Sequence, residues 1–104
     1  MLNLKTLREK IQRDQFHIST HIQKRMLKRG ITLNQILEVI QTGEILEQYP
    51  KRKPYPSCLV VSQEVLDEPL YVVCAFDGEI VYIITAHWMD PEKWIDPWTR
   101  RKKP

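Results

Sequence analysis

A chain of 104 residues, 42% hydrophobic and 28% charged, has room for one core and no second domain, and such a composition excludes wholesale disorder. No apolar run reaches the roughly 18 residues of a bilayer span. The amino-terminal MLNLKTLREKIQRD alternates apolar and charged residues, so no signal-peptide core is present and a cytoplasmic location is expected. The net charge of +3 hides an asymmetry. Residues 1–53 hold 11 Lys/Arg against 5 acids, residues 54–99 hold one Lys against 8 acids, and Arg100, Arg101, Lys102 and Lys103 form a basic tail at 99–104. A basic helical half with a basic tail points to a polyanionic partner, and the acidic half limits where that partner can sit.

In chain order, Leu4, Leu7 and Ile11 repeat at helical spacing among Lys5, Arg8, Lys10 and Arg13, which predicts an amphipathic first helix. Phe16 and Ile18 anchor a short connection. Ser19 or Thr20 suits the N-cap of a second helix, with Thr20 and Gln23 as a capping box, and Gly30 supplies its left-handed terminus. Thr32 with Gln35 forms a second capping box ahead of Leu33, Ile36, Leu37 and Ile40, and Gly43 ends that third helix.

The period changes after Glu44. Ile45, Leu46 and Tyr49 lie in a first strand, the segment YPKRKPYP is a stiff basic loop, and Cys58–Val61 and Leu70–Phe76 are β-branched runs. Asp77-Gly78 reads as a two-residue type I′ hairpin leading into Ile80–Ala86. If Phe76 pairs with Glu79, one face of the sheet carries Val72, Cys74, Phe76, Val81, Ile83, Thr85 and His87, and its aliphatic character assigns it to the helices. A short terminal helix would carry Trp94 and Trp98. The fold class is α+β, helices first and strands after, in a single domain over residues 1–104. Cys58 and Cys74 read as small buried hydrophobes, and neither a metal nor a cofactor is expected.

The residues able to carry chemistry are few. His21, Arg25 and Lys28 share one face of the second helix, flanked by Lys24 and Arg29. Like charges one turn apart repel, so this face is either a solvated basic surface or a phosphate-binding one. Thr85 and His87 at the end of the last long strand form either a site wall or a closure of the core. RNA cleavage without a metal needs a base for the 2′-hydroxyl, cations for the crowded phosphorane and an acid for the leaving oxygen. His21, His87, Arg25 and Arg29 can supply those parts, because histidine titrates near neutrality and arginine grips phosphate oxygens in pairs. His21 is the acid/base candidate, Arg25 and Arg29 the phosphate clamp, Thr85 and His87 auxiliary. Lys24, Arg25, Lys28, Arg29, Arg100 and Arg101 are the RNA-binding candidates.

The string His21-x3-Arg25-Met26-x2-Arg29-Gly30-Ile31-Thr32, with Gly43-Glu44-Ile45 and Tyr82-Ile-Ile-Thr85-Ala-His87, resembles the bacterial family catalogued as domain of unknown function 4258, over a core at 15–90. That family looks related to the RelE/BrnT-like toxins. The resemblance implies helices packed on a four-stranded antiparallel sheet, mRNA cleavage by basic residues with or without the ribosome, and an antitoxin protein as partner. The function expected is therefore a toxin-like, metal-independent endoribonuclease. The alternative is a non-catalytic RNA- or protein-binding module of the same fold.

Overall fold

Each helix starts where a side-chain oxygen takes over a backbone donor that the first turn leaves unpaired. The structure, a computed structural model, describes residues 1–65 and 67–102; Lys103 and Pro104 of the expected basic tail lie outside the described residues. Helix α1 (Leu4–Gln12) is capped by Asn3, whose Oδ1 accepts from the Lys5 and Thr6 amides. Helix α2 (Thr20–Lys28) is capped by Ser19, so Thr20 is already helical and the box anticipated between Thr20 and Gln23 gives way to the single Ser19–Ile22 bond of 3.1 Å. Helix α3 (Leu33–Thr42) has the full Thr32–Gln35 box.

The helices end in different ways. Gly30 takes a φ of +72° after α2, the left-handed conformation that closes the helix at little cost for glycine. Gly43 follows α3 with an ordinary φ of −92°, and its requirement is space. A Cβ there would clash with the Val61 carbonyl oxygen and stand 2.6 Å from that of Val39. Arg8 of α1 reaches the same corner, donating to the carbonyls of Ile40 (2.9 Å) and Gly43 (2.8 Å).

The main sheet has five strands in the order β1-β5-β4-β3-β2. Strands β2 (Glu44–Tyr49), β3 (Ser57–Ser62), β4 (Leu70–Phe76) and β5 (Val81–Trp88) are antiparallel neighbours. Strand β1 (Phe16–His17) adds a parallel edge against Val81 and Tyr82. The expected four-stranded antiparallel sheet is thus corrected to a five-stranded mixed one. Two residues are too few to show a period in sequence, and a parallel partner some 65 positions away leaves no local turn signal. The helices cover one face, where Leu7, Ile11, Met26, Ile31, Ile36, Val39 and Ile40 meet Cys58, Val60, Val72, Cys74, Val81, Ile83 and Ala86. No helix of the described residues is long and apolar enough to cross a membrane.

Two features of the β4–β5 pair correct the expected register. The turn takes four residues rather than two, so Phe76 meets Val81. Only Gly78 has positive φ, at +101°, while Asp77 accepts from the Glu79 and Ile80 amides, both at 2.8 Å, and from the Tyr82 hydroxyl at 2.9 Å. A side chain that satisfies the turn amides removes the need for a type I′ geometry. Further along, Cys74 pairs with Ile83 but Val73 with Thr85, leaving Ile84 as an extra residue in β5. Such a bulge reverses side-chain alternation beyond it. Thr85 and His87, assigned above to the helix face, therefore lie on the opposite face with Val73 and Tyr71, and Trp88 joins the helix side.

The terminal helix expected around Trp94 and Trp98 is instead a small hairpin of β6 (Trp94–Asp96) and β7 (Thr99–Arg100). Pro97 cannot donate into a helix, and the Asp96 carboxylate accepts from the Trp98 amide at 2.8 Å to turn the chain back. Trp94, 1% exposed, packs with Leu59, Val61, Tyr71 and Val73 on the second face of the sheet. The two special glycines predict different costs in urea unfolding. Gly43→Ala should lose about 3 kcal/mol because both opposing atoms are backbone. Gly78→Ala meets open space and should lose only the 1–2 kcal/mol, roughly, of a left-handed alanine.

Candidate functional site

The C-terminal end of α2 and the last residues of β5 hold each other in place. Arg29 caps the helix, and its carbonyl accepts from the Trp88 indole at 2.8 Å, while its guanidinium donates to the Ala86 carbonyl at 2.8 Å and reaches the Thr85 hydroxyl at 3.5 Å. Strand β1 covers β5 only at Val81 and Tyr82, so Ala86, paired with Val72 of β4 on one side, has no strand on the other. The guanidinium takes the place of that missing strand. Arg29 is thereby fixed with donors to spare, since a guanidinium carries five.

On the open side of β5, His87 lies half-buried and stacked on Tyr71, with ring centroids 5.3 Å apart and planes 7° from parallel. Tyr71 is fully buried. Its other neighbour is Trp94 at 4.8 Å, and its hydroxyl donates to the Pro97 carbonyl at 2.8 Å. Burial pushes the Tyr71 pKa up to about 12, so it stays a neutral donor. Burial also holds His87 below its ordinary value, and the positive charges of Arg29, Lys93 and Arg100 push it further down, with Asp90 opposing. Arg29, Thr85, His87, Trp88, Asp90 and Lys93 line an open cleft of 330 Å³. The cleft brings together an imidazole whose charged form is disfavoured, two cations, one carboxylate and a hydroxyl, a set able to accept a proton beside an anion.

The remaining sequence-derived candidates lie elsewhere. His21 is exposed in the first turn of α2, eight residues before Arg29 and so about 12 Å away along the helix axis. Lys24, Arg25 and Lys28 are exposed along the same helix. The single ion pair among the described residues joins Arg100 to Glu47, so the α2 cations have no carboxylate partner there. Arg100 holds Glu47 below the usual carboxylate range through bonds of 2.6 and 2.8 Å and lies over the Trp94 ring at 4.4 Å. Arg101 donates to the Pro91 carbonyl at 2.6 Å. Both are tied into the structure. Lys93 and Asp90 were missed in sequence because an isolated Lys and Asp in an irregular segment carry no spacing signal. Among the described residues no three His, Cys, Asp or Glu side chains gather as a metal site would require.

The model of the family described as Domain of unknown function (DUF4258) matches residues 18–88. This span contains α2, α3 and the four antiparallel strands, and with them Arg29, Thr85 and His87. No curated protein and no solved structure matches the chain.

The buried imidazole sets a pH dependence. Because His87 titrates below its ordinary 6.5 in the folded chain, the unfolded chain binds more protons through that window. The stability associated with His87 should be complete above about pH 6.5 and fall as the pH drops toward the folded value. His87→Gln should flatten this part of the urea-midpoint profile. Arg29→Ala should raise the His87 titration midpoint followed by NMR, and a midpoint that stays put would show that Arg29 does not act on the ring.

Proposed function

The chain belongs to the DUF4258 family, whose description names no activity, and we propose from the cleft at the end of β5 that it is a metal-independent endoribonuclease acting on mRNA. The resemblance to RelE/BrnT-like toxins extends the proposal to an antitoxin protein that holds the activity in check. The observation that carries the reading is the setting of His87: a half-buried imidazole stacked on Tyr71 in a cleft that Arg29 and Lys93 also line, with its charged form disfavoured there. A surface that only binds RNA needs cations; it gains nothing from burying a histidine among them at a cost in stability.

In the proposed reaction His87 takes the proton of a ribose 2′-hydroxyl, and that oxygen attacks the adjacent phosphorus. The bond to the 5′-oxygen breaks, leaving a 2′,3′-cyclic phosphate and a 5′-hydroxyl that takes its proton from water. Arg29 and Lys93 stabilise the extra negative charge of the phosphorane, where charge-assisted bonds strengthen as charge develops. Thr85 hydrogen-bonds a phosphate oxygen. The exposed stripe of His21, Lys24, Arg25 and Lys28 is assigned to the RNA backbone on its way to the cleft. His87 thus takes the base role that sequence spacing gave to His21, because it is the histidine that shares a cleft with Arg29.

Incubation of the purified protein with mixed cellular RNA in EDTA, with and without ribosomes, tests this. Cleavage is expected, declining as the pH falls below neutral, and His87→Ala should slow it by about 10²–10⁴-fold. His21→Ala should weaken binding but leave the rate at saturating RNA within a few-fold. RNA that stays intact under both conditions would replace this reading with the non-catalytic binding module.

A further inference from the structure

A second feature shares the open face with His87. The turn between β2 and β3 folds Tyr55 over β5, where its ring stacks on Tyr82 at 5.4 Å and 13°. The groove beside the pair has a volume of 480 Å³, with Ala75 and Ile84 as its apolar floor and Arg52 and Lys53 on its rim. That volume lies within the range of small-ligand sites, roughly 300–1,000 Å³. Tyr55 is 37% exposed and Ile84 39%, so aromatic and aliphatic surface is left in water beside cations. Lys51, Arg52 and Lys53 have no carboxylate partner among the described residues, and Arg52 is set over the Tyr49 ring at 5.0 Å. The Tyr82 hydroxyl donates to Asp77, which fixes the ring, and Asp77 itself does not line the groove.

We propose that this groove is a nucleobase-stacking subsite for single-stranded RNA, with the Lys51–Lys53 cations on the backbone and the strand running along β5 toward His87. It rests on the ribonuclease reading for its substrate and adds to it a second point of attachment. Aromatic faces with a basic rim bind single strands, because every unpaired base has a face to stack while the phosphates meet the cations. A protein partner would need to bring acids to Arg52 and Lys53, whereas a single strand carries the phosphates that meet those cations on the backbone next to the base that stacks. Tyr82 and His87 lie on the same face, five residues apart with one bulge residue between them, or about 15 Å along the strand. A few nucleotides span this distance. Double-stranded RNA is excluded because its bases are already stacked on one another.

Fluorescence anisotropy with a labelled 2′-O-methyl oligonucleotide separates this inference from catalysis, since the blocked 2′-oxygen cannot attack. Tyr55→Ala, in an exposed turn, should weaken binding by about 10-fold while Tyr55→Phe retains it. Removing Arg52 and Lys53 should lower the log–log salt slope by about 0.7 per phosphate contact. A duplex of the same sequence should be insensitive to Tyr55→Ala. If Tyr55→Ala and Tyr82→Ala bind the single strand as wild type does, the subsite is overturned, and cleavage by the wild type would leave the ribonuclease reading standing. If wild type binds in a Tyr55-dependent way yet cleaves nothing, the subsite stands and the ribonuclease reading falls.

Discussion

One extra residue in β5 organises the functional half of this molecule. Ile84 has no partner opposite the Val73–Cys74 step, and the alternation of side chains reverses as the strand passes it. Before the bulge, Val81 and Ile83 face the helices; after it, Ala86 and Trp88 do. Trp88 can then cap the carbonyl of Arg29, while Thr85 and His87 emerge on the other side of the sheet. Without the bulge the imidazole would point into the aliphatic core. An unpaired ring nitrogen there would cost about 1–3 kcal/mol, and no cleft could form around it.

The open face is in turn shaped by the carboxy-terminal hairpin. Its visible tie is the forked bond of Arg100 to Glu47, but those side chains are 47% and 28% exposed, and an ion pair this solvated contributes under about 1 kcal/mol. The stack of Tyr71 on Trp94 is buried from water, and each ring contributes about 2 kcal/mol or more. Apolar burial therefore holds the hairpin down, and the ion pair sets its direction. The consequence reaches His87, which rests on the far side of Tyr71: the hairpin stiffens the ring beneath the imidazole and brings Lys93 and Arg100 close enough to disfavour its charged form.

The electrostatics divide along the same lines. Helix α2 has no acidic residue in its first turn and carries Arg25 and Lys28 in its last, where they suit the helix dipole and have no carboxylate partner among the described residues. The tail cations Arg100 and Arg101 are by contrast already committed to Glu47 and to the Pro91 carbonyl. Two basic regions that look alike as composition thus differ in availability. Arg29 at the end of α2 and the cations of the 51–53 turn border the two ends of β5 on which His87 and Tyr82 lie.

The sequence by itself determined the elements whose signals are local. Thr32 and Gln35 cap α3 because the box needs only residues three apart, Gly30 terminates α2 because a left-handed residue favours glycine wherever it occurs, and the runs at Ser57–Ser62 and Leu70–Phe76 are strands because β-branched residues suit a pleated surface. The residue types of the site were legible too, since Arg29, Thr85 and His87 were all among the candidates. Their grouping was not. It depended on a bulge that has no residue signature at Ile84, on a two-residue parallel strand, on a turn whose amides Asp77 satisfies, and on a hairpin that Pro97 makes possible. The bulge and the parallel strand are pairings between separate segments, decided by which register buries the apolar surface of both, while the turn and the hairpin are local but rest on hydrogen bonds that leave no periodic pattern in the sequence. That long-range packing alone placed His87 beside Arg29 and left His21 a dozen ångströms away along the helix, about eight residues of rise.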